Sequence, residues 1–177
     1  MTMEPAPGVF LVASPTLGDP HVMRSVVYLL EHGPEGPFGV IVNRALDLPL
    51  RELWGEVPTQ LAEVRIAAEG GPVNRHHGLL LHGLPDLIGA QDMGHGLALG
   101  GDLDQLAQRW STGPDSHGPR LFLGHSGWGA GQLAAEMAQG TWIVRPGRSA
   151  AVIQAKPDPD LWEQLVAGPG LPRPSLN

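Results

Sequence analysis

Val26-Val-Tyr-Leu-Leu30 is apolar at every position. Side chains of a strand point alternately to opposite faces, so an unbroken apolar run fits only a sheet covered on both sides. Turn formers bound the run. Gly33-Pro-Glu-Gly-Pro37 follows it, and Phe38-Gly-Val-Ile-Val-Asn43 comes next, so Ser25–His32 and Phe38–Asn43 read as a hairpin. Val9–Ala13 is a strand ahead of them. A chain that opens this way needs layers on either side of its sheet.

The rest of the chain supplies them. Arg65–Ala68 and Gly78–His82 read as strands joined through Gly70-Gly-Pro-Val73, and Leu97–Leu99 as another. Leu50, Leu53 and Trp54, after Asp47, predict a short helix before Pro58. Leu103, Leu106, Ala107 and Trp110 recur at i, i+3, i+4 and i+7 behind Asp102, with Gln105 placed to complete a capping box. Arg120–Gly124, Thr141–Arg145 and Ala150–Ile153 read as later strands. Ala130, Leu133, Ala134 and Met137 predict a helix ended by Gly140, and Leu161, Trp162, Leu165 and Val166 a last one from Asp158-Pro159 to Gly168-Pro169. Strands in hairpin order, with helices inserted later, predict a mixed, largely antiparallel sheet rather than a doubly wound one. The fold class is therefore α/β of the α+β type. No repeat or linker divides the chain, so residues 1–177 read as a single domain, 9–167 its core and 170–177 a frayed tail.

Composition removes whole classes of function. The 25 glycines and 18 prolines would suggest disorder, but Leu, Ile, Val and Phe make about a quarter of the chain, enough for a core. Absent cysteine, there is no disulfide, thiolate metal site, iron–sulfur cluster or Cys nucleophile. The start has no basic segment leading into an apolar one, and no run nears the roughly 20 apolar residues of a membrane span. The expectation is a cytoplasmic protein with no membrane contact. A net charge of −7 with Lys156 as sole lysine argues against direct nucleic-acid binding, which draws on many cationic contacts to phosphate.

Gly124-His-Ser-Gly-Trp-Gly129 stands between a strand and a helix as a hydrolase's nucleophile elbow would. The elbow needs glycine at both second neighbours of the serine; Gly124 satisfies this and Trp128 does not. No histidine follows Ser126, as the triad order on that fold requires. A glycine-rich turn opening a helix, able to take an anion or carboxylate on its N–H groups, is the alternative. The eight histidines form no metal pattern, so no metal and no cofactor are expected. His82 closes an apolar strand, either as a satisfied polar group at the rim of the core or as part of a site. Gly70 and Gly71, with Arg75 nearby, would suit a phosphate weakly or a bend between strands. Arg24 and Asn43 end buried strands, where a polar side chain must pair or line a cleft. Trp128 sits in a glycine-rich loop suited to a pocket wall. The expected site therefore gathers Arg24, Asn43, Gly70, Gly71, His82, Ser126, Trp128 and Gln132 into one polar cleft, with no catalytic residue assigned.

Taken together, Phe10-Leu-Val-Ala-Ser-Pro15, Arg24-Ser-Val-Val-Tyr-Leu-Leu-Glu-His32, Gly39-Val-Ile-Val-Asn-Arg44, Gly70-Gly-Pro-Val73, Gly78-Leu-Leu-Leu-His82, Gly124-His-Ser-Gly-Trp-Gly-Ala-Gly-Gln-Leu133 and Thr141-Trp142 resemble the YqgE/AlgH family of bacterial proteins. The resemblance runs from residue 9 to about 165. It implies a single domain whose bifurcated sheet folds into a pseudo-barrel flanked by helices, in a family without an established biochemical activity. One branch is named as a regulator of alginate production, a genetic rather than mechanistic label. Family members commonly carry alanine in place of Ser126 and tyrosine in place of His125, and the stretch from His82 to Asp102 is shorter here than in many of them. The expected function is binding of a small ligand or a protein partner in a regulatory role. A small enzyme using Ser126, His82 or arginines, and a DNA-binding transcriptional regulator disfavoured by charge, are the alternatives.

Overall fold

The computed structural model describes residues 4–20, 22–32, 36–110, 117–154 and 156–168; the tail expected to fray lies outside them. Its strands are β1 (Val9–Ala13), β2 (Val26–Glu31), β3 (Phe38–Ile41), β4 (Ala45–Leu46), β5 (Ala67–Glu69), β6 (Val73–His82), β7 (Gln91–Gly94), β8 (Leu97–Leu99), β9 (Arg120–Gly127) and β10 (Trp142–Pro146). Its helices are α1 (Leu103–Arg109), α2 (Gln132–Ala138), α3 (Ser149–Ile153) and α4 (Leu161–Ala167). The strands form one sheet in the order β10-β1-β2-β3-β9-β6-β8-β7, with β4 and β5 attached beside β9. All pairings are antiparallel except β5 with β9.

The sheet divides at β9. One edge pairs with β6, while the other pairs first with β5 over Leu121–Leu123 and then with β3 over Ser126–Gly127. It also curls: the His95 ring, at the turn between β7 and β8, lies against Gly8 just ahead of β1, so the two ends of the sheet approach each other. The result is a curled α+β half-barrel with a few helices around it.

Two apolar layers justify the unbroken run in β2. Phe10, Val12, Val26, Tyr28, Leu30 and Val40 turn inward with Leu81, Phe122, Val152 of α3 and Leu161 of α4. Their neighbours Leu11, Ala13, Val27, Leu29 and Ile41 turn outward beneath Trp128, Leu133 of α2 and Trp142. A third cluster, with Leu50, Leu61, Leu84, Leu87 and Leu106, fills the space under α1. Asp102 caps α1, its Oδ1 accepting the Gln105 N–H at 3.0 Å.

Three expectations need correction. Ala150–Ile153 is the helix α3, whose Ala151 and Val152 close the inner layer; a four-residue apolar run suits a helical turn as well as a strand. The helix expected at Leu50–Trp54 is replaced by two 3-10 turns, Leu50–Glu52 and Thr59–Leu61, and Asp47 bonds Arg65 rather than capping. The strand expected over Gly78–His82 begins at Val73 instead, so β6 also carries His76 and His77. β7 is an added strand whose exposed, non-alternating Gln-Asp-Met-Gly has no strand pattern to read.

Candidate functional site

Where β9 ends, the chain runs through Gly127, Trp128 and Gly129 into α2, and α2 turns back at Gly140 into β10. This hairpin-like path brings together Trp128, Gln132, Glu136 and Trp142. The spacing on α2 does part of the work: Gln132 and Glu136 are i, i+4 neighbours on one helical face, and Gln132 Nε2 donates to Glu136 Oε2 at 2.9 Å. Glu136 Oε1 accepts both indoles, Trp128 Nε1 at 3.0 Å and Trp142 Nε1 at 2.8 Å. The indole rings meet edge to face, 5.8 Å between centroids at 80°. Gln132 Oε1 in turn accepts the Gly129 N–H at 2.9 Å. Every rotor in the group is held by a neighbour.

This network forms one wall of an open cleft of about 380 Å³, completed by Asp19, Val22, Pro72, Ser126, Gly127, Gln139 and Thr141. Such a volume falls in the range of small-ligand sites. A hollow of about 450 Å³ elsewhere is lined by Leu53, Trp54, Leu79, Leu99, Leu103 and other apolar residues, with His76 at its side. It lacks a convergent set of polar groups, which places the candidate site in the first cleft.

Of the residues expected to meet, Ser126, Trp128 and Gln132 line this cleft. Gly70 and Gly71 lie behind it and serve packing. Gly70 donates its N–H to the Leu123 carbonyl and accepts from Ile41 N–H, while a Cβ on Gly71 would run into the His125 carbonyl and the Ser126 nitrogen. Gly124 is the counterpart on β9, at φ +75°, where a Cβ would meet the Gly71 carbonyl. The glycines bring two backbones into contact, leaving no cradle for a phosphate.

Arg24, Asn43 and His82 are outside the cleft lining. Arg24 donates to Glu163 at 2.9 Å and stacks over Trp162, its guanidinium carbon 4.5 Å from the ring centre. Asn43 clips two strand ends together: Oδ1 accepts from Val26 N–H and Nδ2 donates to the Arg24 carbonyl, both at 2.9 Å. That carbonyl belongs to a non-glycine residue at φ +58°, a conformation that such a clip holds in place. His82 is fully buried between β6 and β8, with Nδ1 accepting from Leu84 N–H at 3.1 Å and Nε2 donating to the Gly100 carbonyl at 2.7 Å. Burial holds its pKa below the usual histidine value, against an opposing pull from the Gly100 bond. A proton added at Nδ1 would face the Leu84 N–H. His82 is a saturated core residue.

Ser126 is 5 % exposed and donates to the Gly70 carbonyl at 3.3 Å. It lies on β9 in register with Gly39 rather than on a strained turn. His125 points its ring edge at Phe38, centroids 5.7 Å apart, and burial lowers its pKa too. In the turn that follows, Gln132 Oε1 takes the Gly129 N–H, and the helix it opens, α2, spans seven residues. Sequence reasoning missed Glu136, Trp142 and Asp19. The signal available was an acid at i+4 from Gln132, on a helix lying between two tryptophans.

The protein is thus a curled α+β half-barrel with a tryptophan-walled, carboxylate-centred cleft at the end of its seam strand. The chain belongs to the AlgH-like family, whose profile matches residues 10–172. It is 37% identical over 171 residues to a UPF0301 protein of Myxococcus xanthus, covering 94% of this chain and 91% of that one. It is 34% identical over 163 residues to a UPF0301 protein of an Azoarcus species, covering 89% and 84%. Among solved structures it is similar to the AlgH protein from Pseudomonas aeruginosa, with TM-score 0.71 and 29% identity over 97% of this chain and 94% of that one. Protein DIP2367 from Corynebacterium diphtheriae matches with TM-score 0.74 and 27% identity over 98% and 91%. Among the described residues no helix is long and apolar enough to cross a membrane, and no group of three or more His, Cys, Asp or Glu is arranged to hold a metal.

Proposed function

We propose that this protein works by binding a small ligand, or the projecting side chain of a protein partner, in the cleft between the end of β9, α2 and β10. It acts in the cytoplasm, in a regulatory role and without catalysis. The observation that carries this reading is the preorganised wall: Glu136 fixes both tryptophans and Gln132 in place before any ligand arrives. Preorganised groups lose little freedom on binding, so their interactions appear as affinity. Ser126 turns its hydroxyl to a backbone carbonyl, and among the described residues no histidine lines the cleft to serve as its base, which supports a role without nucleophilic catalysis.

A thermal-shift screen of metabolites tests the reading. A cognate ligand at 100 times its Kd raises stability by roughly 2.7 kcal/mol, several degrees in melting temperature for a domain of this size. Gln132→Ala, an exposed change that removes one cleft contact, is expected to shrink that shift without lowering the melting temperature of the free protein by more than a degree or two. A hit that stabilises parent and variant equally binds elsewhere and counts against the cleft.

A further inference from the structure

We propose that the group received by this cleft is positively charged, a primary ammonium or guanidinium seated against Glu136 beside Trp128 and Trp142. The proposal rests on the cleft being a binding site and names the chemistry of what it binds.

The inventory of donors and acceptors points one way. Both indole N–H groups are committed to Glu136 Oε1, and the Gln132 amide N–H to Oε2. These donors are neutral, so they orient the carboxylate without cancelling its charge. A carboxylate offers about four lone-pair directions, so three bonds leave one open on Oε2. Asp19 brings a second carboxylate to the same cleft, and Ser126, Thr141 and Gln139 add oxygens able to accept. Among the described residues, no lysine, arginine or histidine lines it.

Among the described residues an anion would therefore meet the Glu136 carboxylate and no cation, and the glycine turn has given its Gly129 N–H to Gln132. A neutral ligand would leave the charge of Glu136 uncompensated in a partly enclosed space. A cation fits on both counts: it compensates the carboxylate charge, and its N–H groups find a charged acceptor, the stronger kind of hydrogen bond.

The test uses the full chain, 15N-labelled, and reads the indole Nε1–H signals of Trp128 and Trp142. The probes are n-butylammonium and n-butylguanidinium, with butyrate, inorganic phosphate and n-butanol as controls. The two cations are expected to shift both signals saturably, with affinities of about millimolar or better for groups this small. Added salt is expected to weaken the effect. Glu136→Gln keeps an oxygen for the indoles and the size of the side chain, and is expected to weaken cation binding at least about tenfold. Asp19→Asn, at an exposed position, keeps the assignment testable if the first variant folds poorly, with a smaller loss expected. Unchanged cation affinity in the folded variants overturns the proposal. So does silence of both cations up to about 10 mM, a range that would reveal millimolar binding. In that case a shift of the indole signals by butyrate, phosphate or a small-molecule extract of cells leaves the binding site standing with a different ligand. Silence of the extract as well removes both readings.

Discussion

Glu136 and Arg120 are both charged groups packed against aromatic rings, yet they sit in opposite circumstances. Glu136 lies at the rim of a cleft, half-buried, with three N–H donors around it and room for another partner. Arg120 begins β9 fully buried, its guanidinium carbon 5.0 Å from the Phe122 ring centre. Its Nη1 donates to the Val42 and Val152 carbonyls at 3.0 and 3.2 Å, while Nε and Nη2 have no partner among the described residues. Burial drives its pKa down to about 10. The same strand thus carries a strained charge at its closed start and leads into a satisfied but accessible charge beyond its open end. Accessibility, not charge alone, separates a group that can meet a ligand from one that only burdens the fold.

The largest test of this contrast concerns the backbone seam beneath the cleft. Gly71→Ala is expected to cost roughly 3 kcal/mol or more in denaturant unfolding, because the added Cβ meets main-chain atoms that cannot swing away. Near-parent stability would mean that the Gly70–Gly71 segment ahead of β6 does not touch β9 there and that the cleft floor is misplaced.

Arg120→Met has the opposite sign. Removing an uncompensated buried charge for an apolar chain of similar length is expected to raise unfolding free energy by about 1 to 3 kcal/mol, even after two carbonyls lose their donor. A loss of that size instead would show that the guanidinium has a partner and would dissolve the contrast with Glu136.

His82 sharpens the closed side through pH. Its folded pKa is lowered, so its favourable contribution is complete above the unfolded value of about 6.5 and drains away as pH falls from there through the folded pKa, where the unfolded chain binds the extra proton. The slope of stability against pH in that window is expected to shrink in His82→Gln, with His125 supplying the remaining part. An identical slope in parent and variant contradicts burial of the ring.

The smallest effect belongs to the surface. Arg24→Ala removes an ion pair whose side chains are 58% and 59% exposed, so less than about 1 kcal/mol is expected, and less again in high salt. It is also expected to leave ligand-induced melting shifts unchanged, since Arg24 stands over Trp162 and away from the cleft.

Much of the scaffold was legible along the chain because its signals are local. The apolar run of β2 demanded two covered faces, and Val26 and Val27 do enter opposite layers. Asp102 announced α1, and Ala130 to Met137 the helix now seen as α2. Ala150–Ile153 failed because four apolar residues carry no period, and only the space left beside Phe122 and Leu81 selects the helix.

The candidate site divides along the same line. Trp128, Ser126 and Gln132 were readable from the glycine-rich stretch, whereas Arg24, Asn43 and His82 share with them only the property of ending a strand. A strand has two ends, two faces and a neighbour on each side, and a polar side chain at its tip can clip backbone, enter the core or face a cleft. Asn43 and His82 took the first two of these and Arg24 went out to Glu163. The sequence by itself determined the apolar runs that layer this sheet and the turns that break it, both properties of neighbours along the chain. Only the tertiary structure decided that Glu136 would join two tryptophans 14 residues apart, because that meeting depends on the path by which α2 folds back between β9 and β10.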